Sequence, residues 1–322
     1  MKKQEQQPCC EKFKTMIGGQ ALIEGILMRG PKKQAVVVRA PEGLVIQEEE
    51  LKLVKDKYPV LGLPLIRGSV TFLDSMFKGV KALMFSADYF PEEENSEPSK
   101  FDKWLEEKLG NERMEKLVIA VAVVLSVFMS IGLFMLIPTS VASLVELVTD
   151  SVLVRNLVDA LLRIAIFMTY LALVSRMKDI RRVFSYHGAE HKSIHCYEAG
   201  LELTVENVRA QSKHHPRCGT SFLMVVIIVA ILVNTAVFTV FPAPNLLVRI
   251  AVQLLLLPLV VGIAYEFNRY VGAHDNPVTN FLAKPGMWMQ NFTTYEPDDS
   301  MIEVAIEALK RVIPEEKGSD QW

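Results

Sequence analysis

From Leu117 to Ile137 the chain runs for 21 residues without a charge, between Lys116 and Pro138. At about 1.5 Å per residue, such a helix reaches across the roughly 30 Å hydrocarbon core of a bilayer. A helix apolar on every side belongs in lipid or at the centre of a large core. Thr220 to Phe241, interrupted by Asn234 and Thr235, reads the same way, as does Leu246 to Phe267, with Arg249 near one end and Glu266 near the other. Val152 to Val174 carries Asp159 and Arg163 inside it. Opposite charges four apart on a helix partly neutralise each other, so this run counts as a fourth span.

Half of the 322 residues are hydrophobic, high for a soluble chain and low for one wholly embedded in lipid, so part of the protein lies in water. A net charge of -2 and the lack of a basic block exclude a nucleic-acid partner. Cys9, Cys10, Cys196 and Cys218 do not form a spaced disulfide framework and are expected to be reduced, as in a cytosol. Met1-Lys2-Lys3 leads into polar residues rather than an apolar run, so no cleaved signal peptide is expected.

Between the second and third runs lie Arg176, Lys178, Arg181, Arg182, Lys192, Arg209, Lys213 and Arg217, whereas Pro138 to Ser151 holds no Lys or Arg. The positive-inside rule therefore places the segment 176–219 and both termini in the cytoplasm. The expected fold is mainly α: a four-span helical membrane protein with a small α+β cytoplasmic module. Its expected layout is a flexible N-terminus (1–15), an α+β segment with an amphipathic helix (16–90) and an acidic linker (91–103). The first two spans (117–137 and 152–174) follow within 104–175, then a His/Glu/Cys segment (176–219), the last two spans within 220–267, and a C-terminal segment with a helix (268–322).

Ala35-Val-Val-Val-Arg39 and Leu44-Val-Ile-Gln47 flank Ala40-Pro-Glu-Gly43, which predicts a β-hairpin. Gly18-Gly-Gln-Ala-Leu-Ile-Glu-Gly25 fits neither a P-loop nor a dinucleotide fingerprint and reads as a tight turn. Ile66, Val70, Leu73, Phe77, Val80 and Met84 form one apolar helical stripe, able either to pack on the sheet or to lie in the membrane interface. Pro91 to Ser99 has no apolar residue and reads as a solvated linker. Ser300-Met-Ile-Glu303 reads as a capping box opening a helix with Ile302, Ile306, Leu309 and Ile313 on one face.

Five of the six histidines fall within 29 residues, and Tyr186-His-Gly-Ala-Glu-His191 holds the His-x-x-Glu-His spacing of an inverted zincin. On a helix stopped by Gly200, His187 and His191 share a face and are expected to bind one divalent metal, a zinc-type ion, while Glu190 stands close enough to poise a water. His195 and Glu198 fall on the same face, and Cys196 points away. Catalytic zinc needs a third protein ligand, for which His195, Glu198, the His215 and Cys218 pair, or the carboxylates Glu296 and Asp298 are candidates. The bland alternative is a polar helix face at the bilayer surface, hydrogen-bonded to lipid phosphate or to carboxylates. A closed structural zinc site using His215 and Cys218 is another alternative, and a Cys-His nucleophile lacks any neighbouring signature. Asp159 and Arg163, as membrane-embedded polar residues, could mark a transport path, but four spans with one such pair make a poor transporter.

Gly18-Gly-Gln-Ala-Leu-Ile-Glu-Gly-Ile-Leu-Met-Arg-Gly-Pro31, Tyr186-His-Gly-Ala-Glu-His-Lys192, Cys196-Tyr-Glu-Ala-Gly200, His215-Pro-Arg-Cys-Gly-Thr-Ser-Phe222 and Glu296-Pro-Asp-Asp-Ser-Met-Ile-Glu-Val-Ala305 together resemble the YqhQ-like family, a domain-of-unknown-function group. The resemblance runs from about Met16 to Val312. It implies a multi-pass protein of the bacterial cytoplasmic membrane and a predicted metal-dependent enzyme, with His187, Glu190, His191, His215 and Cys218 as the site. The leading expectation is a metal-dependent hydrolase at the membrane surface, with membrane lipid as a partner. The alternative is a non-catalytic accessory subunit in membrane protein quality control, one that binds and protects a membrane machine such as the protein-translocation channel or a membrane protease.

Overall fold

The computed structural model describes residues 13–51, 58–90, 111–241, 243, 245–274, 276–316 and 318–321. Cys9, Cys10 and the linker at 91–103 lie outside the described residues. The described chain is mainly helical with one small antiparallel sheet, and it divides into two units, one from 1–90, 171–233 and 255–322, the other from 91–170 and 234–254.

In the first unit, β1 (Gly18–Leu22), β2 (Gly25–Arg29), β3 (Lys33–Ala40) and β4 (Gly43–Glu50) form a meander in sequence order. The expected hairpin is present, with Ala40 paired to Gly43. The glycine-rich stretch departs from expectation: it is a strand, and only Ile23 and Glu24 make the turn, with Leu22 paired to Gly25 and Glu24 at φ 49°. Both faces of the central strands are covered. Ile26, Met28, Ala35 and Val37 join one buried cluster, and Leu22, Leu27, Val36 and Val38 join the other. Alternate residues of a strand point to opposite faces, so a strand buried on both sides reads as a continuous apolar run, as Val36-Val-Val38 does.

Helix α1 (Ile66–Ala87) covers the second face through its small residues, Ala82 packing with Leu22 and Leu27. The apolar stripe predicted for this helix faces the other way: Leu73, Phe77, Val80 and Met84 are exposed. Packing of the stripe on the sheet is thereby overturned, because Gly79, Ala82 and Ser86 give the closer approach.

Among the described residues, four helices are long and apolar enough to cross a membrane. The first is a composite: α2 (Asn111–Ile131), a widened π turn (Gly132–Leu136) and α3 (Ile137–Ser143). Pro138 does not end it as expected, because it falls in the first turn of α3, where its missing N–H removes no needed bond. The others are α4 (Val152–Val174), then, after the histidine helix α5 (Lys178–Glu198) and the short α6 (Val205–Arg209), α7 (Gly219–Val240) and α8 (Leu246–Ala273).

Helix α9 (Pro277–Thr293) opens on a capping box between Asn276 and Thr279. The last helix, α10 (Asp299–Val312), is capped by Asp298, whose carboxylate accepts from the Met301 N–H; the box expected at Ser300 is displaced because Ser300 itself donates to Asp298. Ile302, Ile306 and Leu309 are buried in the core with α5 and the sheet, while Ile313 packs at its edge.

In the second unit, Asp159 and Arg163 sit in a polar network. Arg163 donates to Thr139 and Gln253 and pairs with Asp159 at 3.1 Å, and Arg249 donates to Asn156.

Candidate metal centre

Helix α5 carries the site. It begins at Lys178 and ends, as expected, at Gly200, which takes φ 67°, a left-handed conformation that closes a helix at little cost to glycine. One side of α5 lies in the core, with Tyr186, Ala189 and Ile194 buried. Cys196 belongs to that side, as expected; burial pushes its thiol up to about 11. Gly188 lets α5 approach the segment after α9 closely, since a Cβ there would stand 2.1 Å from the Tyr295 carbonyl oxygen.

On the other side, His187 and His191 meet Cys218 from the residue before α7. Their ligand atoms, one from each residue, all lie within 4.8 Å of one another, so the three could hold a single metal ion. The imidazoles are anchored alike. His187 Nδ1 donates to the Thr293 carbonyl at 2.8 Å, and His191 Nδ1 donates to the Lys213 carbonyl at 2.6 Å. This turns each Nε2 toward the group, and in a neutral ring that nitrogen carries the lone pair a metal would take. His187 Nε2 faces Cys218 Sγ at 3.1 Å. The Thr220 hydroxyl and backbone N–H also contact this sulfur, at 3.1 and 3.3 Å.

Burial by itself would raise the Cys218 thiol, but the imidazoles of His187 and His191 pull it well below its ordinary value. Burial would lower His187, yet the adjacent Cys218 overrides it and pushes the imidazole up to about 9. Glu190 stands beside this group. Its Oε1 accepts the Gly19 N–H at 2.9 Å, while its Oε2 is buried with no hydrogen-bond partner among the described residues. Burial raises its carboxyl above the usual range.

The remaining candidates are engaged elsewhere. His195, Glu198 and His215 form a second group of possible ligand atoms, but a resident cation already serves it. Arg217 pairs with Glu198 and also reaches His215 Nε2 at 3.3 Å, and the Glu198 carboxylate accepts the Thr15 N–H as well. His195 Nε2 donates to the His214 carbonyl. Burial holds the imidazoles of both His195 and His215 below their ordinary value. Glu296 is exposed and pairs with Lys192 at 3.0 Å, and Asp298 is the cap of α10, so neither reaches the His187 group.

Several supporting residues carry no signature in sequence. Gln290 of α9 accepts the His215 N–H and donates to the His215 carbonyl and to Ser221, fixing the turn that delivers Cys218. Buried Lys192 donates to the Arg209 and Gln211 carbonyls, holding the return segment from α6 over α5.

Helices of membrane-spanning length thus accompany a sheet-backed module with a His-His-Cys group and a buried glutamate. The chain matches the family described as "Protein of unknown function (DUF1385)" over residues 63–315, and it belongs to that family. It is 34% identical over 311 residues to "Uncharacterized protein YqhQ" of Bacillus subtilis (strain 168), covering 94% of each chain. No solved structure matches.

Proposed function

We propose that this protein is a metal-dependent hydrolase of the bacterial cytoplasmic membrane, with the four long helices spanning the bilayer and the sheet-backed module in the cytoplasm. The excess of Lys and Arg between α4 and α7 supports that orientation. The observation that carries the reading is the matched anchoring of two imidazoles. Both Nδ1 atoms donate to backbone carbonyls, so each ring, once neutral, would present its Nε2 lone pair to an ion, beside a sulfur of lowered pKa. Metal-binding histidines show this second layer of hydrogen bonding almost without exception.

His187, His191 and Cys218 would hold the ion, a donor set suited to zinc. When bound, a divalent metal supplies a Lewis acid that polarises a carbonyl or phosphoryl group and acidifies water. Glu190 is the general base. Gly19 orients its carboxylate through one oxygen, and the other is left to accept a proton from the attacking water. Its raised pKa brings it nearer to neutrality, where a base that must also return its proton works best. The His187–Cys218 contact by itself would also suit a thiol nucleophile. That arrangement has no use for His191, which is separately anchored and aimed at the same place.

Elemental analysis of the purified protein, paired with complementation of a deletion strain, tests the reading. Wild type is expected to carry stoichiometric divalent metal, and His187→Ala and Cys218→Ser to lose it. Glu190→Gln should keep the metal and lose cellular function. A metal-free wild type sinks the proposal. Full complementation by Glu190→Gln, with none by His187→Ala, would point instead to a structural ion in a docking subunit.

A further inference from the structure

Among the described residues, helix α1 and the turn before it carry an exposed apolar surface. Tyr58 to Ile66 contains no charged residue. Val60 and Leu63 in the turn, and Leu73, Phe77, Val80 and Met84 along α1, are all exposed. Several charged residues of α1 find partners: Asp74 pairs with Lys78 and Arg29, and Arg67 with Glu266.

Where this surface lies is fixed by contacts with α8. The Ser69 hydroxyl donates to the Pro258 carbonyl at 2.7 Å, and Gly68 abuts Gly262 and Tyr265. Pro258 sits near the middle of the 28-residue helix α8. It is 15 residues from Ala273, or about 22 Å along the axis. Phe72 packs on Phe222 of α7, with ring centroids 5.7 Å apart. The N-terminal end of α1 thus packs beside the apolar part of α8, where Leu255 and Leu259 are exposed as the stripe is. Exposed apolar surface on two helices in contact calls for the same apolar solvent.

We infer that Tyr58 to Met84 is a fifth membrane-contacting element, with the turn dipping into the leaflet on the module side and α1 lying in the interface with its stripe against acyl chains. This rests on the reading of the long helices as spans. Amphipathic helices lie this way, with the apolar face about 5–10 Å into the boundary of headgroup and chain. A second copy or a partner protein would have to cover the turn, the stripe and the lipid-facing side of α8 together.

Single tryptophans added at Leu63, Phe77, Leu255 and Glu42 test this in liposomes of phosphatidylcholine brominated on its acyl chains, with emission taken as the difference from the parent protein. Leu255→Trp reports the span, and Glu42→Trp reports the exposed β3–β4 turn. Leu63→Trp and Phe77→Trp are expected to be quenched as strongly as Leu255→Trp, while Glu42→Trp is unaffected. Quenching at Leu255 without quenching at Leu63 and Phe77 overturns the inference and leaves the spans standing. No quenching at Leu255 removes the membrane reading itself, and the inference with it.

Discussion

Gly19 governs how near the catalytic carboxylate proposed here can come to the sheet. A Cβ at this position would lie 2.7 Å from the Leu27 oxygen, 2.9 Å from Met28 Sδ and 3.1 Å from the Glu190 carboxyl carbon. Gly19→Ala is therefore expected to displace Glu190 and to destabilise the module by about 1–3 kcal/mol. Thermal unfolding in detergent would report the second effect, and loss of complementation with metal retained the first. The spacing of His187, Glu190 and His191 was legible in the sequence because the helical repeat alone puts them on one face. The anchors were not, since the carbonyls of Lys213 and Thr293 belong to the backbone and any residue could supply them. Nor was the diversion of Glu198 and His215, which depends on the guanidinium of Arg217 folding back onto α5.

The start of α10 rests on the Asp298 side chain. Asp298→Ala removes the acceptor for the Met301 N–H, and about 1 kcal/mol of stability should go with it. A lowered unfolding temperature, recovered by Asp298→Asn or Asp298→Ser, would distinguish capping from loss of charge. Hydrophobic period revealed α10, the length of uncharged apolar runs the long helices, and the Ala40-Pro-Glu-Gly43 turn the β3–β4 hairpin. It could not say which way α1 faces, because two surfaces compete for the helix and the small residues win the sheet. Helix α9 escaped notice, with Pro285 in its interior masking a start that Asn276-Pro-Val-Thr279 does signal.

At the scale of the whole molecule, the proposed centre draws on distant stretches of chain: Gly19 from the sheet, α5, Cys218 before α7, and Thr293 at the end of α9. The carbonyl that orients His187 lies 106 residues after it. A chain ending at Ala273 retains every long apolar helix and lacks α9 and α10. It is expected to fractionate with membranes while carrying no stoichiometric metal; metal content equal to wild type would contradict the role given to Thr293. The same feature sets a schedule during biosynthesis. On the reading proposed above, the four long apolar helices of the described residues leave the ribosome before the last anchor of His187 does, so insertion would come first and the proposed centre would be completed only as translation finishes.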